Sequence, residues 1–183
     1  MGWSRAELES FAGRTIPDLM PDELRLLFVG INPGLVSAAT GLHFARRGNR
    51  FYPALVRAGL VDTDDPAGAA EQLRPRGVGI TNLVARASAR ADELEPSELL
   101  AGRERLDALV RERRPRVVAV AGITSYRTAF GHRAARPGRQ PDDLAGAQVW
   151  VVPNPSGLNA HESVESLAAA YREVAVAAGL LTT

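Results

Sequence analysis

The chain has no cysteine and no lysine. Without Cys, disulfides, iron–sulfur clusters and thiolate zinc sites are excluded. The zinc deaminase signature falls with them. Without Lys, no side-chain amine can form a Schiff base, and only the N-terminus could carry imine chemistry. The Lys-bearing phosphate loop is excluded on the same ground. Histidine is scarce: His43, His132 and His161 lie far apart in sequence, so a His-rich metal site is not expected. Gly77-Val78-Gly79 lacks the third Gly of a dinucleotide fingerprint and precedes an apolar run instead of following one. There is no Gly-x-Ser-x-Gly elbow. No apolar run approaches the ~20 residues of a membrane span. The N-terminus lacks the basic-then-apolar order of a signal peptide, so a cytosolic location is expected.

What is present is arginine. All 22 basic residues are Arg, against 21 acids, for a net charge of +1. The chain as a whole is therefore not a basic nucleic-acid binder. Its Arg residues cluster, however, at Arg46, Arg47 and Arg50, at Arg86 and Arg90, and at Arg133, Arg136 and Arg139. Local basic patches on a near-neutral protein fit a confined phosphate-contacting face. For the third cluster, ordinary solvated surface is the favoured reading.

At 183 residues with 45% hydrophobic content, one domain over 1–183 is expected, with 1–24 as an N-terminal helical extension. Ser4 and Glu7 form a capping box for a short helix that ends before Pro17 and Pro21. Strand one is placed at 25–30. A long Gly-rich loop then runs to Asn49, the expected N-cap of a helix over 50–58 that Gly59 stops. Residues 61–75 fit a helix or an irregular connection. Strand two is 78–83, followed by a second long loop over 86–93. Pro96 starts a helix reaching Arg113. Strand three is 117–121, with a short helix to Phe130. A polar connection spans 131–146 and strand four is 149–152. Asn159 and Glu162 predict the cap of a last helix running to about Ala178. The strands are continuous apolar runs alternating with helices, the pattern of a parallel sheet covered on both faces. The expected fold is an α/β, three-layer α/β/α sandwich with a small, mainly parallel central sheet.

Two runs carry the chemistry. Gly30-Ile31-Asn32-Pro33-Gly34 follows the first strand, and Asn154-Pro155-Ser156-Gly157-Leu158-Asn159 follows the last. Both lie at the carboxyl edge of the sheet, where open α/β folds bind ligands. Each sets an amide among Pro and Gly, which fix the backbone and allow close approach.

The first run, with Thr40-Gly41, Phe44-Ala45 and Asn49-Arg50-Phe51 after it, closely resembles the first motif of the mismatch-specific uracil/thymine DNA glycosylases. Asn154-Pro155-Ser156-Gly157-Leu158 resembles their second motif. The similarity spans roughly residues 25–175. It implies a monofunctional enzyme of the uracil-DNA glycosylase superfamily that flips a mispaired base from double-stranded DNA and hydrolyses its N-glycosidic bond. No metal or cofactor is implied, and the expected working unit is a monomer. On this resemblance Asn32 positions the attacking water, and Ile31 offers backbone groups to the base. Phe44 stacks on the flipped base, where a π-face contributes ~1–3 kcal/mol. Pro33, Gly34, Thr40, Asn49 and Asn82 complete the substrate pocket. Asn154, Pro155 and Ser156 line its sugar and phosphate side. Gly157 and Leu158 form the wedge entering the base stack, and Ser37, Arg46, Arg50 and Asn159 face the DNA. Ala160 stands where some relatives carry a guanine-contacting Arg, and Asn82 where some carry Lys. His43 is placed at the rim.

Asp92 and Glu93 are the carboxylates of the edge loops, and Asp92, close to Arg90, is the candidate for chemistry. Asp92 reads either as a second activator of water or a stabiliser of the sugar cation, or as an Asp favoured by the dipole of the helix after Pro96. Two other functions fit the same scaffold: a non-catalytic DNA-damage or nucleotide-binding module, and a glycosylase for lesions such as hypoxanthine or xanthine.

Overall fold

Alternation along the first strand, β1 (Leu26–Gly30), divides the molecule into layers. Leu26 and Phe28 point into one core, and Leu27 and Val29 into the other. The first core is completed by Phe51 and Leu55 of α3 (Phe51–Ala58) and by Leu167 and Tyr171 of α7 (Val164–Ala177). Phe28, Phe51 and Tyr171 meet there edge to face, with centroids 5.1–5.6 Å apart. The second core takes Leu106 and Val110 from α5 (Pro96–Arg113) and Tyr126 and Ala129 from α6 (Ile123–Phe130). With both faces covered, β1 and β3 (Val117–Ala121) are buried at every position, which is why they read as unbroken apolar runs.

The structure, a computed structural model, describes residues 2–183. Its sheet has the order β2-β1-β3-β5-β4, where β2 is Val78–Asn82, β4 Gly138–Arg139 and β5 Gln148–Val152. Four strands are parallel, and the two-residue β4 pairs antiparallel to β5. Register brings the strand ends level: Gly30 lies opposite Asn82, and Ala121 opposite Val152. All four parallel strands therefore release their loops along one edge. The α/β/α sandwich with a mainly parallel sheet expected from sequence is the fold observed. No helix among the described residues is long and apolar enough to cross a membrane.

Several boundaries differ from the sequence expectation. The first loop is interrupted by a short helix, α2 (Leu35–Thr40), closed by Gly41 in the left-handed region. Residues 61–75 contain α4 (Pro66–Leu73), capped by the Asp65 side chain on Gly68 N. The 131–146 connection contributes β4, so the last strand is the fifth. α7 begins after Ser163, whose Oγ accepts from Ser166 N. The expected Asn159–Glu162 box is not formed, because Asn159 is held in the preceding turn by its bond to the Asn154 carbonyl. The Ser4–Glu7 box does form, on α1 (Arg5–Glu9). Beyond α1 the chain does not stand apart as a helical extension. Gly13 and Arg14 exchange backbone bonds with Ala87, and Leu19 bridges Ile80 of β2. The N-terminal segment is thus a strap laid along the loop that follows β2.

Candidate active site at the carboxyl edge of the sheet

The loops after β1, β2 and β5 enclose a cleft of about 160 Å³. That is below the ~300–1,000 Å³ of pockets for drug-sized ligands, so it suits one ring and not a whole dinucleotide. From the first loop, Ile31, Asn32, Pro33, Gly34, Ser37, Phe44, Arg46 and Asn49 line it. Asn82 comes from β2, and Asn154 and Ser156 from the loop after β5. Two runs separated by 120 residues thus meet at one site.

Asn32 is held by its nitrogen. Nδ2 donates to the Arg86 carbonyl at 3.0 Å and to Ser88 Oγ at 2.8 Å. The Arg86 carbonyl can only accept, so it dictates which end of the amide faces it. Asn32 Oδ1 is left as the free acceptor. Ser88 is buried, and its hydroxyl donates in turn to the Arg90 carbonyl at 2.7 Å. The loop after β2 is itself bound to the first: Leu83 N, Val84 N and Ser88 N donate to the carbonyls of Gly30, Ile31 and Pro33. The sheet ladder therefore continues past the strands and fixes the site's backbone.

Phe44 has φ 52°, in the left-handed region. A non-Gly residue there costs ~1–3 kcal/mol and persists only where its surroundings impose it. One face of the ring stacks on Phe51 at 4.1 Å, and the ring also borders the cleft. Gly30 must be Gly: a Cβ there would stand 2.5 Å from Asn82 Oδ1 and 3.2 Å from Phe44 Cζ. The preceding residue corrects a sequence expectation. His43 is not at the rim but 6% exposed, with Nε2 3.0 Å from the Pro17 carbonyl and Nδ1 3.4 Å from Asn82 Nδ2. Burial pushes its imidazole below the ordinary value and holds it neutral. Tyr52 donates to the His43 carbonyl at 2.8 Å and anchors this turn.

Arg50, expected to face DNA, is occupied within the protein. Its Nη2 donates to the carbonyls of Ser156 and Asn159, both at 2.6 Å, and its Nη1 to that of Glu162. Arg50 N also donates to the Pro155 carbonyl at 3.0 Å. The guanidinium is a clamp that closes the loop after β5 on α3. Pro155 is likewise buried. Gly157 is exposed but packs on the first loop, where a Cβ would stand 2.6 Å from the Gly48 carbonyl. Asn154 Oδ1 accepts from Ser156 N at 3.0 Å, and Ser156 Oγ from Leu158 N at 3.3 Å. Those turns lift Leu158 to the tip, 76% exposed.

Three other expectations fail on position. Asp92 lies outside the cleft lining in a solvent-exposed turn (Ala91–Glu93), its Oδ1 accepting from Arg90 Nε at 2.9 Å. A solvated, ion-paired carboxylate outside the cleft is not placed to activate water within it. Nor does it start the helix, whose N-cap is Glu95. Thr40 is exposed, and its hydroxyl donates back to the Val36 carbonyl at 2.9 Å. Arg86 grips Glu98 through two bonds of 2.6 and 3.0 Å, which holds Glu98 down at about 2. Arg86 is therefore spent inside the protein. Arg46 and Arg47 are exposed and form no ion pair among the described residues. Sequence reasoning missed Ser88 and the buried setting of His43. Their partners lie 56 and 26–39 residues away, beyond any local pattern. Among the described residues, no group of three His, Asp or Glu side chains is placed to hold a metal ion.

An α/β/α sandwich with a ring-sized, amide-lined cleft at its carboxyl edge is the class of protein defined here. The model of the uracil DNA glycosylase superfamily matches residues 17–175, and the chain belongs to that superfamily. Its fold is similar to the solution NMR structure of a "putative Uracil DNA glycosylase" from Methanosarcina acetivorans. The TM-score is 0.60 at 16% identity, over 88% of this chain and 98% of that one.

Proposed function

We propose that this chain is a monofunctional DNA glycosylase. It flips uracil, or a related mispaired or damaged base, out of double-stranded DNA and hydrolyses the N-glycosidic bond, initiating base excision repair. It works as a monomer in the cytosol, without metal or cofactor. The observation that carries this reading is the Asn32 amide, pinned by its nitrogen so that a lone acceptor oxygen borders a ring-sized cleft beside an aromatic face.

In this reaction the C1′–N bond breaks with its electron pair going to the base, leaving an oxocarbenium-like sugar. Water oxygen bonds to C1′, and its proton passes to solvent or to the departed base. Asn32 Oδ1 accepts from that water and orients it. An amide is too weak a base to deprotonate water, so its contribution is preorganisation. The free face of Phe44 receives the base, and Asn82 meets its edge. Leu158 enters the stack where the base has left, as apolar wedges do. Arg46, unpaired beside the cleft, contacts phosphate.

The test is base release from duplexes holding G·U, A·U or G·T and from single-stranded U, with alkaline cleavage of the product. Release should leave an intact abasic site, because no Lys side chain is available to form the imine that precedes β-elimination. Borohydride should trap no covalent adduct. Tight binding to an abasic duplex with no release from any substrate would instead mark a non-catalytic damage-binding module.

A further inference from the structure

One buried histidine is left unused by this mechanism. His43 lies in the wall of the cleft, 6% exposed, with each ring nitrogen against a different partner. The carbonyl of Pro17 can only accept, so the nitrogen 3.0 Å from it, Nε2, must carry the proton. In a neutral imidazole Nδ1 then holds a lone pair and needs a donor. Asn82 Nδ2 lies 3.4 Å from it. The reverse amide orientation would press Asn82 Oδ1 against that lone pair in a buried setting, where two facing acceptors are costly. Asn82 therefore keeps its nitrogen on His43, and its oxygen lies beside Gly30 and Phe44 at the cleft.

We propose that His43 is a positioning residue that fixes the orientation of the Asn82 amide and so makes the cleft select bases with a donor at N3 over cytosine. The inference rests on the glycosylase reading above. Uracil presents N3–H as a donor beside O4 as an acceptor. Cytosine presents the inverse, an N3 acceptor beside an N4 donor. An Asn82 amide with Oδ1 fixed and one Nδ2 hydrogen remaining complements the first edge and opposes the second. A site built on hydrogen bonds rejects the wrong partner because its own groups are then left unpaired. The strap that begins the domain is part of this device, since Pro17 supplies the carbonyl that sets the tautomer. Asp18, the charged group near the ring, accepts from Thr81 Oγ1 at 2.8 Å.

The experiment has two arms. In ¹⁵N NMR of the native protein near neutral pH, the assigned His43 ring should show a protonated Nε2 and an unprotonated Nδ1. The opposite tautomer overturns the proposal whether or not any base is released. The second arm is a double-mutant cycle of His43→Phe and Asn82→Ala, read by single-turnover release of uracil and of cytosine from matched duplexes. His43→Phe should reduce the uracil-over-cytosine ratio by roughly tenfold, the worth of one hydrogen bond. In the Asn82→Ala background it should change the ratio no further. An equal loss in both backgrounds would show that His43 acts independently of Asn82 and would overturn the proposal. If His43→Phe does not fold, the tautomer decides. If the wild type releases no base from any duplex, the glycosylase reading fails, while the tautomer still reports on the His43–Asn82 pair.

Discussion

At the scale of single residues, the site depends on which end of each amide is free. Asn32 cannot serve as a base, so its value lies in being held still. Asn32→Ala should lower single-turnover excision by ~10²-fold or more, the usual cost of losing one preorganised polar group, while abasic-DNA affinity by fluorescence anisotropy stays close to wild type. Ser88→Ala removes one of the two acceptors on Nδ2. It should lower the excision rate by roughly tenfold at unchanged DNA affinity. Equal rates for Ser88→Ala and wild type would mean that the Arg86 carbonyl alone fixes the amide. Asp92 gives the opposite expectation. Its carboxylate is exposed and, among the described residues, paired only with Arg90, so Asp92→Asn should excise uracil within twofold of wild type, with an unchanged pH–rate profile. A lost acidic limb in that profile would restore a chemical role to Asp92.

At the scale of elements, the two motif loops hold each other. The Arg50 fork at the start of α3 satisfies three carbonyls of the 156–162 turn, and Gly157 lies against Gly48. Arg50→Ala would strand those carbonyls and should cost about 2–4 kcal/mol, since bonds to charged groups are worth about 1.5–3 each. Urea denaturation measures that loss. Excision should fall with it, because the turn presents Leu158. Arg50→Lys should not rescue, as an ammonium cannot span three acceptors in a fork. The position of these loops was legible in the sequence. Asn, Pro and Gly directly after an apolar strand mark a carboxyl edge, and both runs do line the cleft. The direction of their long side chains was not. Arg50 reads as a surface cation until its partners, more than a hundred residues later, are in place. α2 was missed because Leu35–Thr40 is too short to show helical periodicity. The α7 cap was misplaced because Asn159–Glu162 and Ser163–Ser166 offer rival starts four residues apart.

At the scale of the whole molecule, the alternation of β1, β3 and β5 into two cores made the sandwich legible, since buried parallel strands have few other arrangements. The strap of residues 13–19 was not, because its bonds to Ala87 and Ile80 run through backbone and leave no side-chain pattern. Acid should loosen this assembly in two windows. His43 has a depressed value when folded, so the unfolded chain takes up a proton first, and stability falls as pH drops below about 6.5. Glu98 falls from 4.5 to about 2 beside Arg86, so its contribution is present above 4.5 and lost between there and about 2. Urea midpoints against pH should show both steps, with His43→Phe flattening the upper one and Glu98→Gln the lower. The central claim, that the pinned Asn32 amide serves glycosidic hydrolysis, is tested most directly by single-turnover uracil release from a G·U duplex with wild type and Asn32→Ala side by side. The account predicts release by the wild type, an intact abasic product, and a variant slower by at least ~10²-fold yet still bound to DNA. Release at equal rates by the two proteins, or by neither, would contradict it.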